Sequence, residues 1–573
     1  MTSSSKTTPP LKKESEPSPD DINMLGTLFK QGRYAEMETL ARKMAVRFPN
    51  HGIGWKAMGV ALLQQGCNEE ALLPLQKSVA LLRDDSHSHC NLGNTLLKLG
   101  RLPEAEASYR QALKLNPGFI EAHYSLSDTL LKLGRLSEAE SGFRRALEIK
   151  PDYADAYSNL LFLYGYHALL DPREYLSLAR GWEQACVPEQ DRQAARQRVF
   201  QRPSPADRRL RVGYVSGDYC QHAVSYFIEQ LFSRHDRARV ELFAYYTQSQ
   251  HDAVTERLQA LIEHWVPVTG MPDAVVRDRI EADGIDVLVD LSGHTKHNRL
   301  GIFARRAAPV QVHYLGYFAS TGLTEMDYFI GDEILTPPGT DNHFSERVWR
   351  LPRMRASYGG KADAPLPDWR PAEDGSIWVG SFNNLGKLTP ATLVLWARVL
   401  HAMPEGRLLL KAKELSSVGN RRRILDAMAT HGIPPDRIEL QDSSSTPGWL
   451  EHMAYYDRLD IALDPVGSHG GYTTTCDALW MGVPVITLEG DRMALRMAAS
   501  ILDAIGHPEW IACSEAEYVD KVIALARNMG QRKALRSTQR DRMAASPLCN
   551  AKDLAVSLEN AYLEMSLPGK TAF

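Results

Sequence analysis

The 573-residue sequence predicts a helical solenoid followed by two doubly wound α/β domains, an α plus α/β architecture. Two observations predict this fold class. A pattern with a period of 34 residues occupies the first quarter of the chain, and such a period is typical of stacked helical repeats. From Arg209 onwards, short β-branched or apolar runs alternate with helical stretches in two successive series. That alternation favours parallel sheets covered by helices.

The repeat is marked by four glycines that stand 34 residues apart: Gly32, Gly66, Gly100 and Gly134. Small or apolar residues follow five and twelve positions after each glycine, and proline follows seventeen positions after three of them. Glycine supplies the turn between two helices, and proline marks the end of the second helix. The pattern resembles the tetratricopeptide repeat, whose units stack into a superhelix. The resemblance implies a groove that binds protein or extended peptide.

The remaining composition excludes several classes of protein. Lys plus Arg number 66 and Asp plus Glu number 70, so the net charge of −4 argues against nucleic acid as the main partner. No apolar run reaches the roughly 18 residues of a membrane-spanning helix, and the N-terminus lacks the apolar core of a secretory signal. The seven scattered cysteines form no C-x-x-C motif, which is typical of reduced thiols in a cytoplasmic protein without a zinc site.

The expected strands and helices follow the two series in order. The first series predicts strands at 210–215, 240–246, 285–291 and 310–315, with helices at 225–234, 253–262 and 274–282. The second predicts strands at 377–382, 407–411, 438–440, 461–463 and 484–487, with helices at 390–403, 421–431, 449–457, 474–481 and 492–505. We therefore expect a disordered tail at 1–20, a solenoid at 21–165, a helical junction at 166–205, and α/β domains at 206–370 and 371–565.

The most informative motif begins at Leu463 and reads LDPVGSHGGYTTTCD. A strand ends there, a glycine-rich loop follows, and Thr473 and Thr474 are expected to cap the next helix. Their hydroxyl groups and the positive end of the helix would bind a phosphate or diphosphate. Asp477, one turn further, could reach a ribose hydroxyl. The alternative is a well-capped helix that binds no ligand.

A second strand end carries the sequence GSFNNLGKLTP, which begins at Gly380 and contains Lys387. Thr389 and Pro390 are expected as the cap and first residue of the following helix. A lysine that faces a phosphate site would neutralise a leaving diphosphate. The alternative is an ordinary solvated lysine. No D-x-D triplet, a common metal-binding motif of sugar-nucleotide enzymes, occurs in the chain, so we expect neither a metal nor a cofactor.

Two histidines and one carboxylate are candidates for proton transfer. Asp218 and His222 follow the first strand of the first α/β domain. Histidine can act as a base near neutral pH, and a carboxylate can orient it or replace it. His167 lies at the junction after the solenoid. The stretches 293–298 and 315–317 follow later strands and are expected to line the cleft between the domains.

These motifs resemble the O-linked N-acetylglucosamine transferase family. The resemblance is carried by GYVSGDY from Gly213, FNNLGK from Phe382 and GYTTTCD from Gly471. SPINDLY-type protein O-fucosyltransferases share much of the sequence of these motifs. The resemblance implies a GT-B fold of two Rossmann-like domains and a metal-independent, inverting transfer of a sugar to Ser or Thr of proteins. The implied donor is a nucleotide sugar, most simply UDP-GlcNAc.

The resemblance also implies roles for individual residues. Lys387 would contact the donor diphosphate, Thr473 and Thr474 the phosphates, Asp477 the ribose and His452 the base. His222, Asp218 and His167 match active-site positions, and either His222 or Asp218 could serve as the general base. The other donor-binding positions are Asn384, Tyr472, Gly316 and Tyr317.

Three differences from the animal enzyme leave both the sugar and the nucleotide base of the donor undetermined. Tyr472, Asn384 and Trp449 replace a histidine, a glutamine and a lysine of the animal enzyme, whereas Asp477 favours the N-acetylglucosamine branch. Two alternatives therefore stand beside UDP-GlcNAc transfer. One is a GDP-fucose-dependent protein O-fucosyltransferase, and the other is a repeat scaffold with an inactive catalytic half.

Overall fold

The computed structural model describes residues 16–201, 208–360, 363–446 and 448–567. They form two compact units that divide after Lys150. The expected end of the solenoid at residue 165 differs from this division, because the helix Ala154–Tyr166 belongs to the second unit.

The first unit consists of helical hairpins in strict repeat. Within residues 16–150 the helices are α1 (Pro19–Lys30), α2 (Tyr34–Arg47), α3 (Gly52–Gln64), α4 (Asn68–Leu81), α5 (Ser86–Lys98), α6 (Leu102–Leu115), α7 (Ile120–Lys132) and α8 (Leu136–Ile149). The four period-marking glycines adopt φ values of 69°, 82°, 74° and 73° between paired helices, a conformation that glycine adopts without strain. The small residues at the two periodic positions are buried. The predicted tetratricopeptide-repeat architecture is therefore confirmed.

The start of α1 corrects the predicted tail. Residues 1–15 lie outside the described part of the chain, but α1 already begins at Pro19. The Ser18 hydroxyl accepts the Asp21 N–H at 3.1 Å. Serine at the cap and proline at the first helical position are a strong start signal, which the compositional argument for disorder overlooked.

Three helices open the second unit, namely α9 (Ala154–Tyr166), α10 (Pro172–Cys186) and α11 (Glu189–Arg196). Asp171 and Glu174 form a reciprocal capping box at the start of α10, which fixes its first turn. The part of the predicted junction at 202–205 lies outside the described residues.

Residues 208–360 form a parallel sheet with strand order β3-β2-β1-β4-β5-β6-β7. The strands are β1 (Leu210–Ser216), β2 (Val240–Tyr246), β3 (His264–Pro267), β4 (Val287–Asp290), β5 (Val310–His313), β6 (Tyr328–Asp332) and β7 (Arg347–Leu351). The helices that follow are α12 (Ala223–Arg234), α13 (Ala253–Ala260), α14 (Asp273–Ala282) and α15 (Leu300–Phe303). The sequence missed β3, β6 and β7. The edge strands β3 and β7 are only partly buried, so their hydrophobic pattern is weak.

A second parallel sheet has the order β10-β9-β8-β11-β12-β13 within the described residues. Its strands are β8 (Ile377–Ser381), β9 (Gly406–Lys411), β10 (Ile438–Gln441), β11 (Ile461–Leu463), β12 (Val485–Leu488) and β13 (Ile511–Ala512). Its helices are α16 (Pro390–Ala402), α17 (Val418–Thr430), α18 (Trp449–Ala454), α19 (Thr473–Trp480), α20 (Met497–Ala504), α21 (Glu515–Arg527) and α22 (Met529–Ala544). The two-residue β13 is too short to be read from a sequence pattern.

The final helix, α23 (Ala551–Met565), packs against α12 of the first sheet. The chain therefore returns to the first α/β domain, and the expected assignment of all of residues 371–565 to the second domain does not describe this helix. Buried polar contacts fix it. Glu559 accepts bonds from His235 Nδ1 at 3.0 Å and the Asp236 N–H at 2.9 Å.

Two further observations concern the described residues. None of their helices combines the length and the apolar character needed to cross a bilayer. All seven cysteines lie within the described ranges and are free thiols.

Candidate active site

The candidate site lies where the strand order of each sheet reverses. In the first sheet that point is between β1 and β4, and in the second between β8 and β11. Ligands of open parallel sheets bind beyond the carboxyl ends of the strands at such points. Contacts between the two domains close this region: the rings of Phe227 and Tyr472 lie 4.9 Å apart, and the Tyr358 hydroxyl donates to Asp477 at 2.7 Å.

Lys387 is buried in the loop that follows β8, with 8% of its surface exposed. Its Nζ donates to the Gly470 carbonyl of the glycine-rich loop at 2.9 Å, and its own carbonyl accepts the Ser468 hydroxyl at 2.8 Å. Burial lowers the pKa of the Lys387 amine to about 8, and the nearby Asp464 carboxylate opposes that fall. The amine therefore keeps its proton at neutral pH. The solvated-lysine alternative does not describe this side chain.

Asp464 organises the glycine-rich loop from the end of β11. Its carboxylate accepts the Gly471 N–H at 2.6 Å and the Thr487 hydroxyl at 2.7 Å. Burial raises the pKa of Asp464 to about 6, while these bonds and Lys387 oppose the rise. A Cβ on Gly471 would lie 2.5 Å from the Thr475 hydroxyl and 2.8 Å from Asp464. Only glycine lets the backbone approach this closely.

The helix after this loop begins differently from the prediction. Tyr472 is the cap residue, without a side-chain capping bond, and Thr473 and Thr474 are the first two helical residues. The expected capping role of the two threonines was wrong, because the loop turns one residue earlier. Their half-buried side chains and the first-turn N–H groups still lie at the positive end of the helix. This arrangement can bind a phosphate.

Two predicted donor-binding residues contact the first domain. Asp477 is half-buried and accepts the Tyr358 hydroxyl. Tyr472 packs its ring on Phe227, and its buried hydroxyl has no hydrogen-bond partner among the described residues. Both therefore lie at the boundary between the two domains.

The predicted base-binding histidine lies in a second cationic pocket. His452 Nδ1 is 2.7 Å from the Lys411 Nζ at the end of β9, and its ring packs near Phe382 and Tyr456 at 6.1 and 5.7 Å. Burial, and then the Lys411 charge, lower the pKa of His452 to about 4. The ring is thus neutral and accepts from Lys411. Asn384, exposed at the end of β8, is available to a ligand.

A small cavity of about 10 Å³, room for roughly one water molecule, lies beneath α19. Its lining comes from the ends of β8 and β11 and from the helix itself, and includes Ser381, Phe382, Asn383, Tyr456, Asp464, Thr474 and Thr475. The Asn383 Oδ1 is buried without a partner among the described residues.

Asp218 and His222 lie together after β1. His222 Nδ1 is 3.5 Å from Asp218 Oδ2 and also accepts the Val224 N–H at 3.3 Å, which caps α12. The His222 side chain is 47% exposed, whereas Asp218 is buried. Burial raises the pKa of Asp218, although His222 opposes the rise. The two side chains thus lie side by side at the end of β1.

An aromatic cluster joins α9 to the loops of both domains. The Tyr166 ring stacks on His469 at 5.4 Å and 6°, and the Phe318 ring meets His469 edge-on at 4.9 Å. The His469 N–H donates to the Tyr166 carbonyl at 2.6 Å. Desolvation and the Lys387 charge lower the pKa of His469 well below its usual value. His469 is thus a neutral, aromatic neighbour of Lys387.

His167 follows directly after this cluster. It is 4% exposed, and its buried Nδ1 has no partner among the described residues. Burial lowers the pKa of His167 to about 4, so the ring is neutral at physiological pH. Such a ring can accept a hydrogen bond, but it is a weak base.

Gly316 and Tyr317 lie behind the cleft wall. Tyr317 is 1% exposed, and its hydroxyl is 2.8 Å from that of Tyr175. The expected lining role of its side chain is therefore wrong, since α10 covers it. A Cβ on Gly316 would lie 1.7 Å from the Leu291 carbonyl oxygen. This glycine allows the loop after β5 to pack on the end of β4.

Sequence reasoning missed Asp464, Lys411, Tyr358 and His469. Asp464 and Lys411 end apolar strands, and that position could have identified them. Tyr358 and His469 gave no comparable signal, because their partners are distant in the sequence. Among the described residues, no cluster of three or more His, Cys, Asp or Glu is placed to hold a metal ion.

Two Rossmann-like sheets whose strand ends face each other define the GT-B class of glycosyltransferases. The chain belongs to glycosyl transferase family 41, whose profile matches residues 179–358 and 369–558. A tetratricopeptide-repeat profile matches residues 90–154.

Known proteins resemble the chain over its catalytic half and over its whole length. The SPINDLY protein of Petunia hybrida, named a probable UDP-N-acetylglucosamine–peptide N-acetylglucosaminyltransferase, is 37% identical over 367 residues, which are 63% of this chain and 39% of that protein. The SEC protein of Arabidopsis thaliana, named likewise, is 32% identical over 62% of this chain and 37% of its own. The chain thus spans about two fifths of these relatives. A mutant O-GlcNAc transferase from Thermobaculum terrenum has a solved structure that superposes with a TM-score of 0.81 at 33% identity, over 96% of this chain and 98% of that one.

Proposed function

We propose that the chain is a protein O-glycosyltransferase that moves N-acetylglucosamine from UDP-GlcNAc to Ser or Thr hydroxyls, with inversion and without a metal ion or other cofactor. The observation that carries this proposal is the buried, protonated Lys387, bonded to the glycine-rich loop that leads into α19. The names of the family 41 relatives support the donor and the acceptor class.

In the proposed reaction each candidate residue has a chemical role. The acceptor oxygen attacks the anomeric carbon from the face opposite the diphosphate, and the bond to the UDP oxygen breaks with its electron pair. Lys387 and the N-terminus of α19, through Thr473 and Thr474, stabilise the charge on the leaving diphosphate. The proton of the acceptor passes to His222 or Asp218.

The remaining residues hold the substrates. Asp477 binds the ribose, while His452 and Asn384 contact the nucleotide near its base. His167 is a neutral hydrogen-bond acceptor on the acceptor side. The protein acceptor extends along the groove of the repeat helices.

The decisive experiment is sugar transfer by the full chain from UDP-GlcNAc to protein. We expect Lys387→Ala to reduce turnover at least a hundredfold, the order seen when one charge-stabilising donor is removed, with an unchanged circular dichroism spectrum. Lys413→Ala, an exposed lysine of the same region, is the matched control. EDTA should leave the wild-type rate unchanged. Wild-type turnover in Lys387→Ala would contradict the role given to Lys387, whereas an absence of transfer by the wild-type chain itself would support the scaffold alternative.

The GDP-fucose alternative is favoured by Asn384, the residue that the resemblance to protein O-fucosyltransferases implies at this position. Calorimetric titration separates it from the main proposal, because the two donors differ in their bases. We expect UDP to bind and GDP to bind at least tenfold more weakly, a difference of about 1.4 kcal/mol. Tight binding of GDP without binding of UDP would reverse the assignment.

A further inference from the structure

A basic groove lies outside the site described above. It has a volume of about 650 Å³ and runs between α10 and the segment around Asn342. Its lining residues are Arg173, Leu176, Ser177, Arg180, Gly181, Gln184, Asn342 and Phe344. Leu176 and Phe344 are buried and form an apolar floor, whereas both arginines are exposed.

The charge of the groove is uncompensated. Within the described part of the chain, neither Arg173 nor Arg180 forms an ion pair or donates a side-chain hydrogen bond, and no carboxylate is among the lining residues. Asp171 and Glu174, which lie next to Arg173 in the sequence, form the capping box. Glu183, one turn after Arg180, accepts the N–H and the hydroxyl of Thr324. Seven residues of helix separate the two arginines by about 10 Å on one face. The groove therefore presents two free cations above an apolar floor.

The groove continues towards the candidate active site. Phe344 also lines a neighbouring cavity of about 30 Å³, whose other walls include Phe318 and Ser320. Phe318 packs against His469, the neighbour of Lys387. The basic groove and the glycine-rich loop are thus linked through Phe344 and Phe318, which line the same cavity.

We propose that this groove binds an acidic segment of the protein acceptor, at some distance along the chain from the modified Ser or Thr. That the ligand is a protein acceptor rests on the proposed function. That the bound segment is acidic follows from the two arginines of the groove. Carboxylates pair with Arg173 and Arg180, and an apolar side chain between them packs on Leu176 and Phe344. The contact adds affinity for acidic acceptors without entering the chemical step.

The test uses labelled peptides with a central Ser-Thr pair and a block of four glutamates placed before or after it. Matched peptides carry glutamine in the block. Fluorescence anisotropy with the full chain at low salt should show tighter binding of a glutamate peptide. In Arg173→Glu/Arg180→Glu we expect its Kd to rise about tenfold, because attraction becomes repulsion. In transfer assays KM should rise while kcat stays constant.

Lys533→Glu/Lys552→Glu is the control, because it reverses two exposed charges outside the groove and should retain wild-type affinity. Thermal melts of both variants check folding. Equal wild-type binding of glutamate and glutamine peptides, or an equal loss in the control, would overturn the proposal. The same anisotropy measurement is made with a labelled single-stranded RNA. If Arg173→Glu/Arg180→Glu loses RNA binding but keeps peptide binding, the proposal is also overturned. The UDP titration is independent of these outcomes, so a failed donor assignment can be told apart from a failed groove assignment.

Discussion

At the scale of single residues, the environment of Lys387 sets a pH dependence. The pKa of its amine is lowered to about 8 by burial and supported by Asp464. As pH rises through 8, the free protein loses the cation that stabilises the leaving diphosphate. We expect kcat/KM to fall above about pH 8. In Asp464→Asn the negative charge that raises the pKa of Lys387 is absent. The pH at which kcat/KM begins to fall should therefore be lower than in the wild-type protein. The check is a pH–rate profile of both proteins, and an identical limb would show that another group controls it.

The same scale shows what a sequence can reveal about a site. Lys387 and Thr473 were identifiable because each follows an apolar strand and a glycine-containing loop. The bond from Lys387 to the Gly470 carbonyl spans 83 residues, and no local pattern encodes it. Tyr317 shows how a local pattern can mislead. It follows a strand, which predicted a place in the cleft, but its side chain is buried against Tyr175 of α10.

At the scale of elements, the close packing of the loop after β5 on the end of β4 depends on Gly316. Gly316→Ala would place a Cβ 1.7 Å from the Leu291 carbonyl oxygen, so the backbone must shift. We expect the free energy of unfolding of the catalytic half to fall by roughly 2 kcal/mol or more, measured by urea denaturation. The control is Gly530→Ala in α22, where the nearest atom to the added Cβ is 3.7 Å away and the helix should gain up to about 1 kcal/mol. Equal stability of Gly316→Ala and wild type would contradict this packing argument.

Element boundaries were predictable where the local signals were strong. Thr389 caps α16 through the Thr392 N–H at 3.1 Å, and Pro390 follows at its first position, as predicted. The predicted start of α19 was one residue too late, because the threonines suggested a side-chain cap, whereas the loop held by the bond from the Gly471 N–H to Asp464 places Tyr472 at the cap.

At the scale of the whole molecule, the return of α23 to the first sheet ties the two α/β domains together. Glu559 is buried and accepts bonds from His235, the Asp236 N–H and Arg239. Glu559→Gln removes the charge that supports these bonds, and we expect a loss of about 2 kcal/mol in unfolding free energy. Glu515→Gln, whose partner Arg398 is exposed, should cost less than about 1 kcal/mol. Guanidinium denaturation of the full chains measures both, and equal losses would mean that α23 is not held by Glu559.

The sequence by itself determined the repeat architecture, the two strand–helix series and the loops that carry chemistry. Those features are local: a 34-residue period, the alternation of strands and helices, and polar residues after apolar strands. Only the tertiary structure decided which strand ends meet, that Lys387 is buried beside Asp464, that Tyr317 lies behind the wall, and that α23 crosses back to α12. These outcomes depend on contacts between residues far apart in the chain, where burial and shape select the partners and periodicity carries no information.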